Sequence, residues 1–122
     1  MSSARRLPIL LVDDDESILT TVELLLAEEG YAVAVAANGQ EALRRVAAQR
    51  PCLILLDMKM PVMDGWAFAA AYRELPEPHA PIIVMTAAHD AQQRASEISA
   101  DDVIAKPFDV NQLLDLVRKY AA

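Results

Sequence analysis

One cysteine, Cys52, is all the chain carries, so no internal disulfide can form and a reducing, cytoplasmic setting fits. Positive charge is scarce as well: 11 Lys and Arg stand against 18 Asp and Glu, a net charge of −7. That balance argues against general nucleic-acid binding, which needs clustered positive charge, and it suits a protein that holds a cation. No apolar run approaches the ~20 residues that span a bilayer, and no signal-peptide pattern opens the chain, so no membrane role is expected. Low-complexity tracts, Gly/Ser linkers and sharp internal repeats are lacking too. What is there is 122 residues, 54% of them hydrophobic. One domain of that kind can bury a core without disulfides or structural metal.

The hydrophobic residues fall into two alternating patterns. Short apolar runs occur at Leu7–Val12, Tyr31–Ala36, Cys52–Leu56, Pro81–Met85 and Val103–Ala105. Between them lie segments of helical period. Ile18, Val22, Leu25 and Leu26 stand at i, i+4, i+7 and i+8, while Phe68, Ala71, Tyr72 and Leu75, and likewise Val110, Leu113, Leu114 and Val117, stand at i, i+3, i+4 and i+7. A shorter helix holds Ala42, Leu43 and Val46, and Asp90–Ile98 is weakly amphipathic, with little beyond Ala91, Ala95 and Ile98 to bury. Runs that are apolar on both faces belong to parallel strands covered on each side by helices. Five of them alternating with five helices predict a doubly wound α/β fold, a (βα)5 three-layer sandwich with a parallel five-stranded sheet. Asp64-Gly65 can open the third helix and Gly30 can close the first.

In such a sheet, ligands bind outside the carboxyl ends of the strands. Asp13, Asp14 and Asp15 follow the first run, Asp57 ends the third, Thr86 follows the fourth, and Lys106-Pro107 follows the fifth. Carboxylates gathered within ~5 Å repel by roughly 3 kcal/mol per pair at an effective dielectric of ~20. Something positive must offset that cost. Hard oxygen ligands suit Mg²⁺, which takes one or two carboxylates, several waters and a substrate phosphate.

These motifs carry a resemblance. ILLVDDD (Ile9–Asp15), LLDMKMPVMDG (Leu55–Gly65), PIIVMTA (Pro81–Ala87) and AKPF (Ala105–Phe108), in this order and at strand ends, resemble the receiver domain of two-component response regulators. The likeness runs from Leu7 to about Tyr120, so residues 1–122 are expected to be a single receiver domain with no output domain. It implies a flavodoxin-like sheet of order 2-1-3-4-5. It also implies that Asp57 accepts a phosphoryl group from a histidine kinase or a histidine phosphotransfer protein. Asp14, Asp57 and the backbone carbonyl of Lys59 would bind Mg²⁺ directly, and Asp13 would act mainly through a bound water. Thr86 and Lys106 would each engage a phosphoryl oxygen, with a cis Lys106–Pro107 bond aiming the lysine inward. The implied role is regulatory: self-catalysed phosphoryl transfer and autodephosphorylation at most, with a downstream protein target. The chemistry of the residues agrees, since aspartate can capture a phosphoryl group covalently and in-line transfer asks mainly for positioning and charge neutralisation.

Other readings compete for some of these residues. Asp15 reads as a helix N-cap, and so does Asp64. Cys52 reads as a small packing residue, His79 and His89 as solvated loop residues, and Trp66 as partly exposed packing. Asp13-x-Asp15 with Thr86 and Lys106 also resembles the haloacid dehalogenase-type phosphatases. Glu16-Ser17 departs from that family's usual pair, Asp101-Asp102 precede Lys106 where an acidic motif should follow, and Asp57 would have no role. A pseudo-receiver that only docks is the remaining alternative, and the complete acidic set argues against it.

Two departures from the receiver pattern stand out. Val103 occupies the position three before the lysine where many receivers carry Tyr or Phe, a ring that turns inward on activation. Ser99-Ala100 replaces the common Gly-Ala before the fifth strand. Relatives dimerise through the fourth and fifth helices; for this chain the sequence leaves the homodimer open.

Overall fold

The five apolar runs become five strands: β1 (Ile9–Val12), β2 (Val33–Ala36), β3 (Leu53–Asp57), β4 (Ile82–Ala87) and β5 (Asp102–Lys106). They pair in parallel in the order β2-β1-β3-β4-β5. The computed structural model describes residues 7–121; of the expected 122-residue domain, residues 1–6 and 122 lie outside that span. The helices are α1 (Glu16–Glu28), α2 (Gly39–Ala48), α3 (Gly65–Arg73), α4 (Ala91–Glu97) and α5 (Val110–Tyr120). A short 3₁₀ turn, Ala88–Asp90, leads into α4.

Side chains alternate across the sheet, and each face has its own helices. Ile9, Leu11, Leu53, Leu55, Ile83 and Met85 pack with Val22 and Leu26 of α1 and Leu113 and Val117 of α5. Leu10, Val12, Ile54, Leu56, Ile82 and Val84 pack with Ala42 of α2, Phe68 and Tyr72 of α3 and Ala95 of α4. Every residue of β1 and β3 is buried, as strands covered on both faces must be. Burying one such Leu or Ile contributes about 1.5–3 kcal/mol. A one-residue slip would exchange the two faces, so burial on both sides fixes the register. β2 and β5 lie at the edges and are only half-buried for the most part.

Helix ends follow local chemistry. Asp15 Oδ1 accepts from the Ser17 and Ile18 amides at 2.9 and 3.4 Å, and Asp64 Oδ1 accepts from the Ala67 amide at 2.9 Å. Gly30, at φ 94°, closes α1 in the left-handed conformation that suits a residue without Cβ. Two expectations need adjustment. The stripe Phe68, Ala71, Tyr72, Leu75 outruns its helix: α3 stops at Arg73 and Leu75 is 39% exposed. Pro76 follows, and a residue before proline is pushed away from helical backbone. The weak fourth helix is weaker than its pattern, seven residues with no side-chain bond from its cap, Asp90. Its small apolar set, Ala91, Ala95 and the adjoining Ile98, is buried as the pattern requires.

Candidate functional site

β1 and β3 are neighbours, yet their following helices cover opposite faces of the sheet, which opens a crevice at their carboxyl ends. Asp13 and Asp14 stand just past β1, Asp57 is the last residue of β3, and Lys106 is the last residue of β5. Carboxylate oxygens of Asp13, Asp14 and Asp57 all lie within 4.8 Å of one another. Asp13 is fully buried and Asp57 is 7% exposed, while Asp14 faces solvent. The crowding is held by few partners. Lys106 Nζ lies 2.7 Å from Asp13 Oδ2 and 3.7 Å from Asp57 Oδ1. Asp13 Oδ1 accepts from the Asp15 amide and Asp57 Oδ1 from the Met58 amide, both at 2.9 Å.

Burial pushes the Asp57 carboxyl up to about 6 from its ordinary 3.8. The charge of Asp13 pushes the same way, Lys106 opposes it, Asp14 adds to the rise and the Met58 amide offsets part of it. One ammonium among three carboxylates leaves net negative charge in a poorly solvated place. Such a cluster can hold a hard cation.

Thr86 is buried in β4, one step beyond the residue that pairs with Asp57. Strand alternation sets Asp57 on the α1/α5 side of the sheet and Thr86, after Ile82 and Val84, on the α2/α3/α4 side. Asp57 and Thr86 therefore face opposite halves of the core. The Lys106–Pro107 peptide is cis, in keeping with the expectation for Pro107. Lys59 is different from the rest: its side chain is 66% exposed and pairs with Asp90 Oδ2 at 3.9 Å rather than with a carboxylate of the cluster.

The loop from Met58 to Asp64 fixes the space beside Asp57. Gly65 N donates to Met58 O at 2.8 Å, and a Cβ on Gly65 would come within 2.7 Å of the Asp57 carbonyl oxygen. Only glycine allows α3 to start that close to the strand end. Val62, at φ 71°, sits between Pro61 O and Met63 N, which are bonded at 2.8 Å in a γ-turn. A β-branched residue in that region is strained.

Asp15 caps α1 and is outside the acidic cluster, so an Asp13–Asp15 acid/base pair is not presented together. His79 Nε2 meets Leu75 O at 2.7 Å and its ring tilts against Tyr72, while the His89 side chain is 83% exposed. Cys52 packs partly buried under the α1/α5 half, and burial raises its thiol pKa. Sequence reading missed Asp90, Arg94 and Glu97, which link Lys59 to Trp66 along α4. Their i, i+3 and i+4 spacing was the available signal, though such charges usually mark a solvated face.

Residues 9–118 match the response regulator receiver domain family. Sporulation initiation phosphotransferase F of Bacillus subtilis (strain 168) is 40% identical over 114 residues, covering 92% of this chain and 91% of the relative. The transcriptional regulatory protein PrrA of Mycobacterium tuberculosis is 38% identical over 112 residues, covering 90% of this chain but only 48% of that protein, so the chain spans about half of it. Among solved structures, a response regulator from Chloroflexus aurantiacus superposes with a TM-score of 0.87 at 32% identity, covering 96% of this chain and 98% of that one. The chemotaxis response regulator CheY4 of Vibrio cholerae superposes with a TM-score of 0.85 at 32% identity, over 94% and 98% of the two chains.

Proposed function

The chain belongs to the response regulator receiver domains of two-component systems, and from that premise we propose that Asp57 is the phosphoacceptor of a Mg²⁺-dependent switch. The observation that carries this reading is the cluster itself: three carboxylates within 4.8 Å, with Lys106 reaching both Asp13 and Asp57. The donors are hard oxygens, and ligands of octahedral Mg²⁺ at 2.0–2.1 Å stand about 3–4 Å apart, so a small inward adjustment seats the ion. Asp14, Asp57 and the Lys59 carbonyl would hold it, with Asp13 acting through water. Bound there, Mg²⁺ supplies charge neutralisation for the carboxylates and the transferring oxygens.

The protein side of the reaction is positioning. The donor is a phosphohistidine of a histidine kinase or histidine phosphotransfer protein. Asp57 Oδ1 is engaged by the Met58 amide and faces Lys106, which leaves Oδ2 to attack phosphorus. The Asp57 O–P bond forms as the histidine N–P bond breaks, and the imidazole leaves. Lys106 swings from Asp13 to a phosphoryl oxygen, and the Thr86 hydroxyl donates to another. With its carboxyl pushed up to about 6, Asp57 is mostly ionised at pH 7 even without metal. The whole of residues 1–122 acts as one such domain, which presents its surface to a downstream protein and reads no nucleic acid itself.

Incubation with acetyl phosphate and Mg²⁺ tests this directly. Mass spectrometry should find one phosphoryl group on Asp57, and Asp57→Asn should gain none. An unmodified, folded wild-type chain would leave a docking module as the surviving alternative.

A further inference from the structure

Five side chains outside the acidic cluster form a continuous line from the loop after Asp57 to the face between α3 and α4. Lys59 Nζ lies 3.9 Å from Asp90 Oδ2, and Asp90 Oδ1 lies 3.8 Å from Arg94 Nη2. Arg94 Nη1 lies 3.3 Å from Glu97 Oε1, and the same oxygen accepts from Trp66 Nε1 at 2.8 Å. The Arg94 guanidinium also lies over the Trp66 ring, 5.1 Å from its centroid. Trp66 is in the first turn of α3, so the line begins and ends on the segment downstream of β3 and passes through α4 between.

Three features make the line able to rearrange. Its first link is weak: the Lys59 side chain is 66% exposed, and pairs of that kind are worth about 0–1 kcal/mol. A phosphoryl group on Asp57, two residues away, adds a charge of about −1.5 to −2 and competes for the same ammonium. Next, Arg94 Nε is buried with no hydrogen-bond partner among the described residues. Buried donors are seldom left so, and a carboxylate that moved toward this one would satisfy it. Finally, α4 has little to hold it in place, burying only Ala91 and Ala95 within its own length. The far link is well made by contrast. The Trp66 indole bond, before any other cause, holds the Glu97 carboxyl below the usual carboxylate range.

We propose that Lys59, Asp90, Arg94, Glu97 and Trp66 form an ionic relay that reports the state of Asp57 to the α3–α4 face. On phosphorylation Lys59 leaves Asp90 for the phosphoryl oxygens, Asp90 closes on Arg94, and Arg94 and Glu97 release Trp66. The relay takes the part that a ring at position 103 would play. It rests on Asp57 being the phosphoacceptor.

Trp66 is the only tryptophan, so its emission reads the end of the line alone. The test treats the full chain with acetyl phosphate and Mg²⁺, following Asp57 by mass and Trp66 by emission in the same samples. Wild-type emission should change as mass is gained. Asp90→Asn should gain the same mass with an emission change about threefold smaller or less, because a rearrangement is driven only by differential interaction. Glu97→Ala cuts the last link and should show the phosphorylated wild-type spectrum before any donor is added; it also decides the matter if Asp90→Asn folds poorly. An Asp90→Asn response equal to wild type, or a resting Glu97→Ala spectrum equal to resting wild type, overturns the relay and leaves phosphorylation standing. No mass gain on wild-type Asp57 overturns both.

Discussion

A carboxylate almost out of solvent and flanked by two others is costly to keep charged, and Asp57 carries that cost in its proton affinity. Folded, it binds its proton up to about pH 6; solvated, only up to 3.8. Between those values folding takes up a proton, so in Mg²⁺-free buffer acidification stabilises the native state through this group. The charged form costs the fold about 1–3 kcal/mol above pH 6, and the cost vanishes below about pH 4. Asp57→Asn should therefore raise stability by about 1–3 kcal/mol at pH 7.5 without metal and by nearly nothing at pH 4. Urea denaturation at the two pH values checks it; an equal difference at both would refute the assignment. The same residue scale limits what a sequence discloses. Asp13, Asp14 and Asp57 were legible because strand ends converge, whatever their side chains do. The left-handed Ser99, at φ 53°, was noticed only as a missing glycine, and Val62 gave no warning, because a strained dihedral leaves no pattern in residue types.

Elements show the division more clearly. Strands covered on both faces must read as unbroken apolar runs, so β1, β3 and β4 were legible to within two residues at each end, and caps gave the starts of α1 and α3. Asp15 separates capping from chemistry. Asp15→Ala should cost about 1 kcal/mol through loss of its bonds to the Ser17 and Ile18 amides, while Asp57 modification by acetyl phosphate proceeds at the wild-type rate. A chain that keeps its stability but stops accepting phosphate would place Asp15 in the site. The α4 tethers were not legible. They join three different segments through side chains, and no periodicity runs across a loop. Arg73 illustrates it, donating from the end of α3 to the carbonyls of Ile98 at 3.0 Å and Ser99 at 3.3 Å, beyond the end of α4.

For the whole molecule, the two-sided core follows from runs that are apolar on both faces, and the order β2-β1-β3-β4-β5 agrees with what the family resemblance implied. Net charge acts at this scale as well, since three of the chain's excess anions are concentrated at one rim. Any ion that binds there in the native state alone stabilises all of it. Mg²⁺ at ten times its dissociation constant should add about 1.4 kcal/mol, a rise in Tm of roughly 4–8 °C for a domain of this size. Calorimetry with and without the ion measures it, and an unchanged Tm would count against the metal site. Among the described residues no helix is long and apolar enough to cross a membrane.

Asp57 and Thr86 belong to opposite sides of one sheet, and the seam between two separately packed halves ends where they meet. A sheet with a single covered side would give such a spot one listener. A phosphoryl group on Asp57, as proposed, would have an exit in either direction, so the surface facing its donor and the surface facing its target need not compete for the same ground.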